Sequence, residues 1–132
     1  MISTRGRYAL RFMIDLAEQK KDSYIPLKDI AERQGISKKY LEIIAKDLVA
    51  GGLLIGASGK GGGYKLSREP EEYPVGEILN KMEGTLSPVA CLADPDYDCP
   101  RKDICKTLPM WTDFDNMVND FFYGRTLADL IR

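Results

Sequence analysis

A mainly α-helical fold carrying one small β-hairpin is what this sequence predicts. Three observations predict it: two short helical segments joined at a tight Gly35 turn, a glycine-rich stretch from Gly51 to Gly63 between apolar residues, and a long aromatic helical stripe near the C-terminus. A helix pair of that kind, its second member opened by a capping Ser, is a helix-turn-helix, and a glycine-rich hairpin behind it is a wing. The expected architecture is a winged helix-turn-helix with a C-terminal dimerisation helix.

The first helix is expected from Ser3 to about Lys20. Tyr8, Ala9, Phe12, Met13, Leu16 and Ala17 recur along one face, Ser3 or Thr4 supplies the cap, and Arg5, Arg7 and Arg11 lie off the apolar side. After the polar Lys21-Asp22-Ser23, Pro26 opens a second helix over Leu27–Gln34, with Leu27, Ile30 and Ala31 inward. Gly35 ends it by admitting a left-handed backbone. Ser37 caps a third helix reaching about Ala50, with Ile36 and Leu41 placed for a hydrophobic staple. Gly51 to Ile55 and Tyr64 to Leu66 then make two strands, with Ser58 to Gly63 as the tip between them.

Glu69 to Pro74 reads as a boundary, followed by a fourth helix from Val75 to Glu83 that Gly84 stops. Between Ser87 and Lys106 helical periodicity disappears, and Pro, Asp and all three cysteines collect there. A last long helix from about Pro109 to Phe122 carries Trp111, Phe114, Val118, Phe121 and Phe122, more aromatic surface than so short a chain can cover. A second copy of the chain is the expected partner. Thr126 to Ile131 makes a final helical turn.

With 132 residues, 44% of them hydrophobic, the chain can build a real core. No run approaches the ~18 apolar residues of a membrane span, and Met1 to Arg7 leads into no signal-peptide stretch. A cytoplasmic protein is expected, where thiols stay reduced and cysteines act as ligands or sensors. The net charge of −1 hides an asymmetry. Residues 1–68 hold 13 Lys/Arg against 7 Asp/Glu, and residues 69–132 hold 6 against 13. A basic half suits a polyanion and an acidic half is kept away from it. The chain has no histidine, and neither a nucleophile–base pair nor a phosphate loop occurs, so an enzyme is not expected.

In a helix-turn-helix the second helix enters the major groove of duplex DNA by its first residues, here Ser37, Lys38, Lys39, Tyr40 and Glu42. Lysines bind phosphates or guanine acceptors, Ser and Tyr donate to phosphates, and Glu accepts from cytosine. Arg5, Arg7 and Lys60 are backbone-neutralising candidates. Thr4 beside the arginines, and Ser58, Gly61 and Gly62 at the tip, complete the expected DNA-facing set. The units so defined are a DNA-binding head at 1–73, a connecting helix at 74–86, a cysteine loop at 87–106 and a dimerisation segment at 107–132. Within the loop, Cys91, Cys99 and Cys105 leave three readings open: an iron–sulfur cluster, a zinc site, or plain thiols that oxidise.

Several stretches carry a family likeness. Ser3-Thr4-Arg5-Gly6-Arg7-Tyr8-Ala9-Leu10, Ile30-Ala31-Glu32, Ile36 to Glu42, Gly52-Leu53-Leu54, Gly61-Gly62-Gly63-Tyr64, Val75-Gly76-Glu77-Ile78 and Thr126 to Leu130 resemble the bacterial IscR, NsrR and RirA regulators, the Rrf-two (Rrf2) family. The likeness implies winged-helix homodimers, repressors among them, that bind palindromic operators and sense iron–sulfur, nitric-oxide, iron or redox status. The cysteine spacing is similar to the RirA type, which implies a [4Fe–4S] cluster in preference to a [2Fe–2S] one. The chain departs from its relatives in four places. Ser58 stands where IscR-like proteins carry a wing Arg, and Ile43 where they often have Gln. Leu108 takes the place of a ligating His, and Arg7 that of the Asp that NsrR uses.

Overall fold

The computed structural model describes residues 2–131, and within them six α-helices and one antiparallel hairpin: α1 (Thr4–Ala17), α2 (Leu27–Gln34), α3 (Lys38–Ala50), β1 (Leu54–Ala57), β2 (Gly63–Leu66), α4 (Val75–Glu83), α5 (Ala90–Ala93) and α6 (Leu108–Tyr123). Short 3₁₀ turns occupy Pro70–Glu72 and Leu127–Leu130. The mainly helical fold with a hairpin wing is the one the sequence predicts.

Ser3 rather than Thr4 caps α1, its Oγ accepting the Gly6 amide at 3.2 Å. The helix stops at Ala17, short of the expected Lys20. There the Gln19 amide turns to Leu16 O, while the Gln19 side chain takes Asp15 O at 3.1 Å, the carbonyl a continuing helix would have used. Asp15 lies on the inner face of α1 and is only 2% exposed. Arg33 of α2 grips it with Nη2 at 2.7 Å and Nε at 3.0 Å, and Gln34 Nε2 donates at 3.0 Å. A buried carboxylate satisfied in this way locks α2 across α1. Gly35 then turns the chain at φ +64°, and Ser37 Oγ accepts the Tyr40 amide at 3.1 Å to start α3. Ile36 and Leu41 are both buried, as a staple requires.

The first strand differs from its expected position. The Gly51 amide donates to Asp47 O and Leu53 to Leu48 O, so residues 51–53 close α3, and Leu53 turns into the core. The ladder therefore runs from Leu54↔Leu66 to Ala57↔Gly63. One pair short of the tip end of this ladder, Ile25 exchanges two backbone hydrogen bonds with Tyr64, at 2.8 and 2.9 Å, acting as a one-residue third strand. At the tip, a Cβ on Gly62 would strike the Ala57 carbonyl oxygen, so no other residue fits that turn unshifted. In the cysteine segment, expected to be irregular throughout, Ala90–Ala93 forms a single helical turn, too short to show a period.

The main core joins Phe12 and Met13 of α1, Ile30 of α2, Leu41, Ile44 and Leu48 of α3, and Leu53. It also takes in Tyr73, Ile78 and Met82 of α4, and Leu127. A second cluster, of Val75, Leu79 and Leu86, receives Ile2, Leu10, Val118 and Phe122, and so fastens α6 to α4 and α1. Tyr73 is fully buried, and its hydroxyl accepts the amides of Ser67 (2.8 Å) and Arg68 (3.0 Å) while donating to Leu53 O (2.8 Å). Tyr73→Phe leaves two amides and a carbonyl short of a partner, and is expected to lower unfolding stability by about 1–3 kcal/mol. Urea titration should show this as a lower midpoint with unchanged slope.

Candidate nucleic-acid interface and cysteine site

α3 presents one face inward through Leu41, Ile44, Ala45 and Leu48 and leaves Ser37, Lys38, Lys39, Glu42, Ile43 and Lys46 exposed. Ser58, Lys60 and Gly61 are exposed at the wing tip, and Gly62 is half-buried beneath them. Among the described residues, Lys38, Lys39, Lys46 and Lys60 take part in no salt bridge. Four positive charges thus face solvent without internal neutralisation, an arrangement suited to phosphates. Tyr40 is placed differently: half-buried, its ring packs edge-on against Tyr8 at 5.7 Å, which props the start of α3 against α1.

At the start of α1 the candidate cations divide. Arg7 and Thr4 are exposed, with Arg7 Nη2 donating to Thr4 Oγ1 at 3.2 Å. Arg5 is engaged internally: Nη2 donates to Met82 O at 2.9 Å, and Nη1 stands 4.0 Å from Asp47. Beside it, Glu83 Oε1 accepts from the Ser3 amide at 2.9 Å and the Ser3 hydroxyl at 2.7 Å. The N-terminus of α1 is therefore clasped to the last turn of α4, and Arg5 reaches α3 as well. Sequence reading missed this clasp, whose partners lie some eighty positions apart.

The three cysteines are free thiols, and all three line one cavity of about 260 Å³ with Asp94, Tyr97, Lys102 and Leu108. Among the described residues, no three Cys, Asp or Glu side chains converge on a point fit for a single metal ion. The donor set, three soft thiolates around a shared space, fits a polynuclear iron–sulfur group better than a lone ion needing ligands at about 2.3 Å. The Thr107 hydroxyl, 3.5 Å from Cys105 Sγ, holds that thiol below its usual range, helped by the Thr107 and Leu108 backbone amides and the Arg101 charge. Leu108 does not replace a histidine chemically but closes one wall of the cavity. No described helix is long and apolar enough to cross a membrane.

An exposed basic helix capped by Ser, a hairpin wing and a helix bundle behind them define the winged helix-turn-helix transcriptional regulators. Residues 2–132 match the Rrf2 family, described as an iron-dependent transcriptional regulator, and the chain belongs to that family. It is 36% identical to protein rrf2 of Nitratidesulfovibrio vulgaris, over 99% of this chain and 87% of that one. It is 34% identical to the regulator IscR of Serratia proteamaculans, over 98% and 78%. Among solved structures it is similar to CymR, the global cysteine regulator of B. subtilis, with 34% identity, a TM-score of 0.78 and coverage of 98% and 95%. It is also similar to T. potens IscR, with 33% identity, a TM-score of 0.74 and coverage of 98% and 85%.

Removing the Thr107 hydroxyl should raise the Cys105 pKa and leave less thiolate near neutrality. Iodoacetamide labelling of Cys105, followed by mass spectrometry, is expected to slow in Thr107→Val around pH 7.5 and to equalise at high pH, where both thiols are ionised.

Proposed function

We propose that this chain is a homodimeric regulator that binds operator DNA through α3 and the wing. It senses iron, redox or nitric-oxide status through an iron–sulfur cluster held by Cys91, Cys99 and Cys105. The observation that carries the sensing half is that three free thiols line one 260 Å³ cavity. Similarity to IscR and a family described as iron-dependent support it. The RirA-like spacing favours a [4Fe–4S] cluster over a [2Fe–2S] one.

The dimer rests on α6. Val118 and Phe122 face inward, whereas Met110, Phe114, Met117 and Phe121 are each 45–66% exposed and lie along one side of the helix. A second copy covers that stripe and sets two α3 helices side by side for a palindromic site. Leaving α4 at Gly84, the chain passes through the cysteines and enters α6 at Thr107, so order in the loop biases how two α6 helices meet. A coupling of roughly 1–3 kcal/mol changes operator affinity about 5–150-fold.

A second reading has its own support. The lowered Cys105 thiol and the likeness to CymR favour a thiol-based regulator that works by cysteine oxidation or through a protein partner. Anaerobic iron and sulfide counting separates the two: a coloured protein with stoichiometric sulfide selects the cluster.

On a duplex selected by the protein from random sequence, Lys38→Ala and Lys39→Ala should weaken binding. Each should reduce the salt slope by about 0.9 per lost phosphate contact while leaving the fold intact. Cys99→Ala should yield a colourless, folded dimer, and a monomer in sedimentation would make the loop structural instead. Met117→Asp should sediment as a monomer at micromolar concentration; an unchanged dimer overturns the α6 interface.

A further inference from the structure

Three thiols leave a cluster one ligand short, and no histidine exists in the chain to supply it. Four aspartates lie in the loop, Asp94, Asp96, Asp98 and Asp103, yet Asp94 alone among them lines the cavity with the cysteines. Asp94 directly follows α5, the turn that carries Cys91, so Cys91 and Asp94 both reach the cavity from one helical turn. Its Oδ1 accepts the Asp96 amide at 2.9 Å, which fixes the carboxylate as an Asx turn and leaves Oδ2 available. Lys102 lines the same cavity, where its positive charge would offset the negative charge of three thiolates and a carboxylate.

From this placement we propose that Asp94 is the fourth protein ligand, binding through Oδ2 the iron that the three cysteines leave open. The assignment rests on the cluster reading above. It makes the site mixed, with three sulfur donors and one oxygen donor. A carboxylate is a weaker partner for cluster iron than a thiolate, so the Asp94 iron is the one exposed first to an incoming small molecule or chelator.

The test compares wild type, Asp94→Asn, Asp94→Ala, Asp94→Cys and Asp96→Ala, each reconstituted anaerobically with iron and sulfide. Iron and sulfide content, absorption, and the rate of cluster loss to a ferrous chelator are measured for each. Asn keeps the Asx-turn acceptor but removes the anionic donor, so it separates ligation from loop geometry. Expected are full cluster uptake in every variant and loss from Asp94→Asn and Asp94→Ala faster by at least about tenfold, the cost of removing even a supporting group at a metal site. Asp94→Cys should lose its cluster more slowly than wild type, and Asp96→Ala should behave as wild type. Wild-type rates in Asp94→Asn, with only Asp94→Ala impaired, make Asp94 a loop-forming residue and overturn the assignment alone. A wild-type protein that takes up iron without sulfide, or neither, overturns the cluster reading and the assignment with it.

Discussion

Tyr73 holds the wing to the head through one oxygen. Its hydroxyl has two lone pairs and one proton, and the fold uses all three, on the Ser67 and Arg68 amides and the Leu53 carbonyl. Those groups lie at the two feet of the hairpin, one just before β1 and the other just after β2. The same residue's carbonyl accepts the Leu127 amide at 2.9 Å, which brings the chain's last turn back to the head. Because the ring lies in the main core beside the residues of α1 and α3, the hairpin's position is set by the same packing that sets α3. Without that anchor, a two-stranded ribbon of four residues a side has little stability of its own.

What the sequence made legible was what short-range chemistry decides. Gly35 and Ser37 announce a turn and a cap because each acts within three residues of itself, and the structure uses both as such. The stripe on α6 was equally plain, although composition alone did not separate Val118 and Phe122, which pack inward, from Phe114 and Phe121, which do not. β1 was misplaced because glycines at 51 and 52 serve a helix end as readily as a strand, and only the buried Leu53 decides between them. The Ile25 bridge, the Arg5 clasp on α4 and the buried Asp15 pair depend on partners far away in sequence, so no local pattern carries them.

The candidate site divides along the same line. Spacing marked the cysteines as a set, and the structure places all three on one cavity. It could not rank the four nearby aspartates, of which Asp94 alone reaches the cavity. For the expected DNA-facing set, sequence position treated Arg5 and Arg7 alike; the structure ties the first to Met82 and Asp47 and leaves the second outward. Charge separation between the halves has a physical counterpart, because lysines outside any salt bridge lie on α3 and the wing while four aspartates lie in the loop that follows α4.

The wing's bracing stops one pair short of its tip, and that has a kinetic consequence. Tyr73 pins its feet and Ile25 braces Tyr64 further out, while beyond Ala57 the tip has the Gly62-to-Gly59 bond of its own turn. Amide hydrogens should therefore exchange with solvent on a gradient, slowly at Tyr64 and rapidly around Lys60. Such a finger is stiff along its length and loose at its end, so the end can change shape without disturbing the helix beside it.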